Sequence, residues 1–164
     1  MVKKNQQMNK LFLIIIALLF VLPRVAFTLE KGKWSFVKDE NWCYIGSLPI
    51  TTDLPENLKR GDNYILVYKL IGSDKNIIQV EAGYNYKLEN DILVVIDQSE
   101  YVFYTTESSP DTAWTDDDKK VIYAMKKGLE LNLTGQSNNS GTIITDTYTL
   151  KGFTAAINKL NSDC

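Results

Sequence analysis

The sequence contains no histidine among its 164 residues, and this absence excludes several kinds of functional site. Ser-His-Asp and Cys-His catalytic sites need an imidazole as general base, and histidine is a common ligand of catalytic zinc. The glycines form neither a phosphate-binding loop nor a dinucleotide-binding fingerprint. We therefore expect no cofactor, no metal site and no enzymatic activity.

Cysteine is almost as scarce, since the chain has only Cys43 and Cys164. A redox-active or nucleophilic thiol, which is the alternative for either residue, would need a neighbouring base or a C-x-x-C motif. The sequence has neither. In an oxidising compartment two thiols are most simply joined to each other. We therefore predict a disulfide between Cys43 and Cys164, which would tie the first strands to the last helix.

The chain has one long apolar run, the twelve residues 11–22. Lysines precede this run and a proline follows it, which is the form of a secretory signal peptide. Twelve residues are fewer than the roughly 20 that span a bilayer. We predict a signal peptide at residues 1–28, with cleavage near Ala26 or Thr28. An uncleaved N-terminal anchor is the alternative.

The predicted mature chain, residues 29–164, is acidic and of a length typical of a single domain. It retains 14 basic and 20 acidic residues, because the four basic residues of the N-terminal segment are removed. Nucleic acids and anionic lipids bind clustered lysine and arginine, which this chain lacks. We expect an exported, periplasmic protein with no nucleic-acid partner and no transmembrane span.

Alternation of apolar and polar residues dominates the chain after residue 30. This pattern predicts a mainly β protein, an antiparallel β-sandwich or barrel-like fold with two short α-helices packed on it. Seven or eight strands are expected, within residues 33–37, 42–50, 63–70, 77–87, 92–107, 129–135 and 142–150. Helices are expected from an N-cap at Thr115 to Gly128, and from Gly152 to Asn161.

Four aspartates, Asp111 and the three in residues 116–118, could in principle hold Ca²⁺. They lack the alternating spacing and the downstream glutamate of an EF-hand loop. Acidic residues at the start of a helix are also favoured by the helix dipole. We therefore interpret the cluster as helix capping.

Three carboxylates are candidates for the paired acids of a glycoside hydrolase, namely Glu81, Glu130 and Asp146. Asp146 is unusual because it lies in the middle of a predicted strand, among threonines. We predict a structural buried acid, held by threonine hydroxyls and backbone amides. An active-site acid is the alternative.

Exposed aromatic and amide side chains are the candidates for a contact face. Trp114 lies on a predicted loop beside a proline, and the polar loop from Gln136 to Gly141 contains Asn138 and Asn139. Such side chains suit protein or glycan interfaces.

Several segments together resemble the invasion-associated locus B family of exported bacterial proteins. They are "NWCYIGSLPI", "SSPDTAW", "YAMKKG" and "DTYTLKGFTAAINKLNSDC", within a similarity that extends from Trp34 to Cys164. The chain resembles a branch with two cysteines, although asparagines 138 and 139 stand where relatives tend to carry arginine. The resemblance implies a Gram-negative envelope protein, named for host red-cell entry by some pathogens, with no catalytic residues that could be transferred.

The sequence therefore leads to three hypotheses of function. The first is a non-enzymatic periplasmic or outer-membrane-associated protein that binds or supports another envelope component, either protein or glycan. The second is a carboxylate-dependent hydrolase acting on envelope glycan. The third is a secreted factor that engages a host cell surface.

Overall fold

The computed structural model describes residues 29–164, so the predicted signal peptide at 1–28 lies outside the described residues. The described chain is mainly β with two helices, as predicted, but it has ten strands where seven or eight were expected. The strands are β1 (Ser35–Lys38), β2 (Trp42–Ser47), β3 (Thr51–Thr52), β4 (Tyr64–Leu70), β5 (Ile77–Glu81), β6 (Ile92–Ile96), β7 (Ser99–Thr106), β8 (Ser109–Trp114), β9 (Glu130–Gln136) and β10 (Ile143–Thr149). The helices are α1 (Asp118–Lys127) and α2 (Phe153–Asp163).

All ten strands form one antiparallel sheet that curls back on itself. Its order is β1-β2-β4-β5-β8-β7-β6-β9-β10-β3. Strand β3 lies at one edge of this order and β2 lies near the other edge. Only three residues of the chain connect β2 to β3. The sheet is therefore barrel-like, with β2 and β3 joining its two sides.

Alternating residues of the strands fill the inside of the barrel. In β6 the side chains of Ile92, Val94 and Ile96 are buried, and in β9 those of Leu131 and Leu133. The residues between them face outwards and are less buried. This period of two is the expected signature of strands with one face on a core.

Helix α2 covers one end of the barrel with an apolar face. Its buried residues Phe153, Ala156, Ile157 and Leu160 recur at helical spacing. The Phe153 ring lies edge-on to Trp34, with 4.8 Å between centroids. The chain enters the helix through Gly152, whose φ of 88° lies in the left-handed region that favours glycine.

The predicted disulfide is present between Cys43 in β2 and Cys164 just after α2. The two Cα atoms are 5.8 Å apart across 121 residues of sequence. Cys43 is fully buried, so the bond lies at the edge of the core rather than on the surface. The disulfide holds α2 against the end of the barrel.

Helix α1 lies beside α2 at the same end and starts later than predicted. Its N-cap is Asp117, not Thr115, although the Thr115 hydroxyl accepts a hydrogen bond from the Asp117 amide. Asp118 accepts a hydrogen bond from the Ile78 amide at 2.8 Å. This bond ties the first turn of α1 to strand β5.

The strand prediction was wrong at three places, the first being the two-residue strand β3, which lies outside every predicted strand. Trp114 was expected on a loop beside Pro110, but it ends strand β8, in which Pro110 is tolerated where the β7–β8 register shifts. The strand expected over 77–87 ends at Glu81, because Gly83, with a φ of 72°, turns the chain out of the sheet.

Within residues 29–164, no helix combines the length and the apolar character needed to cross a bilayer.

Candidate functional site

The end of the barrel away from the helices contains a buried ion pair. Asp146 lies on the inner face of β10 and its side chain is 2% exposed. Arg60, from the loop between β3 and β4, donates to both carboxylate oxygens at 2.6 Å. The same guanidinium donates to the Thr52 hydroxyl at 3.2 Å and reaches the Ala82 carbonyl at 3.5 Å. Arg60 thereby connects three separate segments of the barrel.

The partner predicted for Asp146 was wrong. Threonine hydroxyls and backbone amides were expected, but the carboxylate is held by Arg60, which no sequence pattern indicated. Burial alone would lower the pKa of Arg60. The hydrogen bonds to Asp146 and the negative charge of its carboxylate outweigh burial, so the pKa of Arg60 is raised. The guanidinium therefore stays charged, as the bidentate geometry requires.

Three tyrosines surround this ion pair, namely Tyr84, Tyr86 and Tyr148. The rings of Tyr84 and Tyr86 contact each other edge-on at 5.3 Å between centroids. Burial raises the pKa of each hydroxyl well above its ordinary value, and the charge of Asp146 raises it further. All three hydroxyls are therefore protonated and can both donate and accept hydrogen bonds.

An acidic cleft of about 330 Å³ lies on the outside of the same end. Its lining includes Asp62, Glu81, Tyr84 and Asp111. The Thr112 hydroxyl lies 3.1 Å from a Glu81 oxygen and 3.3 Å from an Asp111 oxygen. One hydroxyl has a single hydrogen, so it cannot satisfy both carboxylates at once.

The pKa of Glu81 is raised in this cleft. Burial is the largest cause, and it outweighs the hydrogen bond from Thr112, which lowers the pKa. The pKa of Glu81 is raised further by the negative charges of Asp111 and Asp62 and by the hydrogen bond between Glu81 and Asp111. Glu81 therefore holds its proton to a higher pH than an isolated glutamate.

The three candidate hydrolase acids do not share a cleft. Asp146 is inside the barrel and bound to Arg60, while Glu81 is in the outer cleft on β5. Glu130 is exposed on β9, which is separated from β5 by β8, β7 and β6. The paired geometry that glycoside hydrolysis needs is absent from this trio.

The four clustered aspartates of the sequence are also separated. Asp111 lies in the outer cleft, whereas the aspartates of 116–118 lie at the start of α1. Among residues 29–164 no group of three or more histidine, cysteine or acidic side chains is arranged to hold a metal ion.

Trp114 lies on the outer face of the sheet, directly across from Tyr104 in the β7–β8 pair. Tyr104 and Val102 alternate with the buried Phe103, so they face outwards, and they are 44% and 53% exposed. Leu93 of β6 pairs with Val102 and continues the row. We refer to Trp114, Tyr104, Val102 and Leu93 as the outer stripe.

The polar loop lies at the other end of β8 from Trp114. The Asn138 amide donates to the Asn85 carbonyl, and the Tyr86 amide donates to the Pro110 carbonyl. Pro110 and Trp114 are four positions apart in β8, which corresponds to roughly 13 Å of extended strand. Asn138 and Asn139 are exposed, whereas Gln136 is half-buried and donates to the Gly141 carbonyl.

Comparisons with known proteins give a family match and a fold match. The family described as "Invasion associated locus B (IalB) protein" matches residues 56–161. The crystal structure of invasion associated protein b from Bartonella henselae matches with a TM-score of 0.56 and 16% sequence identity. That match covers 82% of this chain and 96% of the other chain, and it shows a shared fold. A search of curated protein sequences gives no significant match.

Proposed function

Since the chain belongs to the invasion associated locus B family, we propose that it is an exported, non-enzymatic envelope protein that binds or supports another envelope component. The partner is a protein or a glycan of the periplasm or outer membrane. The mature molecule is the single domain of residues 29–164, released when the signal peptide at 1–28 is cleaved.

Export is supported by the disulfide. Cys43 and Cys164 are joined, and such bonds persist in oxidising compartments such as the periplasm. The bond joins residues far apart in sequence and holds the last helix on the barrel. A protein built in this way reaches its full stability only after it has left the cytoplasm.

The outer stripe is the observation that supports binding. It places an indole, a phenol ring and two aliphatic side chains in adjacent positions on the open face of β6, β7 and β8. Val102 and Tyr104 expose about half of their surface. Exposed apolar rows of this kind, flanked by polar residues, are typical of interaction sites.

The exposed amides of Asn138 and Asn139 form the alternative contact surface. They project from a loop whose backbone is fixed by hydrogen bonds to Asn85 and Ser137. Fixed amides suit the hydroxyl groups of a glycan, because an amide can donate and accept at the same time.

Cross-linking in the native envelope tests which surface is used. Val102→Lys places a charge in the outer stripe, and Ile143→Lys makes the matched change at a 63% exposed aliphatic residue beside the polar loop. We expect Val102→Lys to abolish the cross-linked adduct and Ile143→Lys to retain it. Loss only with Ile143→Lys would move the contact to the loop, and the absence of any adduct with wild-type protein would contradict the proposal.

Fractionation of cells and culture medium tests the location. We expect the chain in the periplasmic or outer-membrane fraction. Recovery mainly from the culture supernatant would instead favour the secreted factor that engages host cells.

A further inference from the structure

The polar interior around Arg60 and Asp146 contains more hydrogen-bonding groups than the protein itself satisfies. Within residues 29–164, the hydroxyls of Tyr84, Tyr86 and Tyr148 are buried and have no hydrogen-bond partner. Tyr148 is 0% exposed and Tyr86 is 1% exposed. Buried hydroxyls are almost always paired in folded proteins, because an unpaired one loses its hydration without compensation.

The three hydroxyls belong to one neighbourhood. Tyr148 follows Asp146 by two residues on the inner face of β10. Gly135 pairs with Ile144 of β10, and a Cβ atom at Gly135 would overlap the Tyr86 ring and lie 3.2 Å from the Tyr84 hydroxyl. The hydroxyls therefore lie in one region, and none of them makes a hydrogen bond to another.

The chemistry of the three hydroxyls indicates which kind of hydrogen-bond partner they need. Each tyrosine hydroxyl offers one donor and accepting lone pairs, so its partner has to both accept and donate. Arg60 and Asp146 neutralise each other through two hydrogen bonds, so the site carries no unbalanced charge to attract an ion. Water is the small neutral molecule that meets both conditions.

We propose that ordered water molecules are bound inside the barrel among the hydroxyls of Tyr84, Tyr86 and Tyr148, and that they link these hydroxyls to the Arg60–Asp146 pair. The site is a structural hydration site at the end of the barrel away from the helices. Tyr84 also lines the outer acidic cleft.

A crystal structure of the full mature chain at about 1.5 Å resolution or better tests the proposal directly. We expect water within hydrogen-bond distance of at least two of the three hydroxyls. A dry interior would overturn the proposal, as would hydroxyls that bond only to each other or to protein atoms.

Tyr86→Phe and Tyr148→Phe provide an independent test in solution. Each removes a hydroxyl and keeps the ring, so loss of a bond to bound water should raise the equilibrium constant of unfolding roughly five- to tenfold. Tyr123→Phe, at a residue 61% exposed on α1, is the matched control and should change it less than twofold. An unfolding constant that is unchanged or lower in both buried variants would contradict the proposal, since removing an unpaired hydroxyl is neutral or stabilising.

Discussion

The two ends of the barrel are closed in different ways. At one end, α1 and α2 cover the core with apolar side chains, and the Cys43–Cys164 bond fixes α2 in place. At the other end a loop inserts Arg60, which bonds to the buried Asp146 beneath three tyrosines. The first end, called the helical end, is held by burial and a covalent bond. The second, called the polar end, is held by charge and hydrogen bonds.

This difference indicates which conditions each end responds to. The helical end depends on the redox state of its surroundings, because its cross-link exists only when both thiols are oxidised. The polar end depends on complete pairing, because a buried charge that loses its partner is strongly unfavourable. The two ends can therefore be weakened independently.

The largest expected effect is at the polar end. Asp146→Ala leaves Arg60 as a buried charge without its partner, and we expect the free energy of unfolding to fall by about 3–5 kcal/mol. Chemical denaturation measures the change. The double variant Arg60→Met with Asp146→Leu removes both charges and should recover much of the loss. A decrease below about 1 kcal/mol for Asp146→Ala would contradict the role given to the ion pair.

Removal of the disulfide should have the next largest effect. Replacing both Cys43 and Cys164 by alanine is expected to lower the free energy of unfolding by about 2–4 kcal/mol, because the unfolded chain loses a long-range constraint. Denaturant titrations with and without a reducing agent measure it. The reductant should destabilise the wild type to the level of the double variant and leave the double variant unchanged. Equal stability of the oxidised and reduced wild type would show that α2 is held by packing alone.

The smallest effect concerns the acidic cleft outside the polar end. The raised pKa of Glu81 means that the folded state holds this proton more tightly than the unfolded chain. Its contribution to stability is therefore complete below the ordinary pKa of 4.5 and is lost as the pH rises through the folded pKa.

Glu81→Gln removes this titration. We expect the variant to be more stable than wild type at pH 7, by less than about 1 kcal/mol because the cleft is open to solvent. Its advantage should shrink below pH 4.5. Thermal denaturation between pH 3 and pH 8 checks this, with Glu130→Gln as a control for the loss of one charge. An advantage that grows as the pH falls would contradict the assignment.

The sequence was informative where its pattern was local. Alternation predicted both hairpins of β6–β7 and β9–β10, and helical spacing predicted the buried face of α2. Trp114 was misplaced on a loop because Pro110 reads as a strand breaker, whereas an irregular register accommodates it. Local patterns predict the helical end well because it is built from helices and strands, whose buried residues recur at a fixed spacing.

The polar end was only half predictable. Asp146 was noticed because a carboxylate is rare on an inward position of a strand, but its partner lies 86 residues away. Arg60 belongs to a loop rich in charges, where an arginine ordinarily faces solvent. No spacing rule connects such a loop to a strand, so only the fold brings the pair together.

Intact-mass measurement on protein recovered from the envelope of its native host tests signal cleavage and the disulfide together. We expect a chain that begins close after Ala26 or Thr28 and in which both sulfur atoms are paired with each other. A chain that retains residues 1–28 and carries two free thiols would contradict it, because export and covalent closure of the helical end would both be lost.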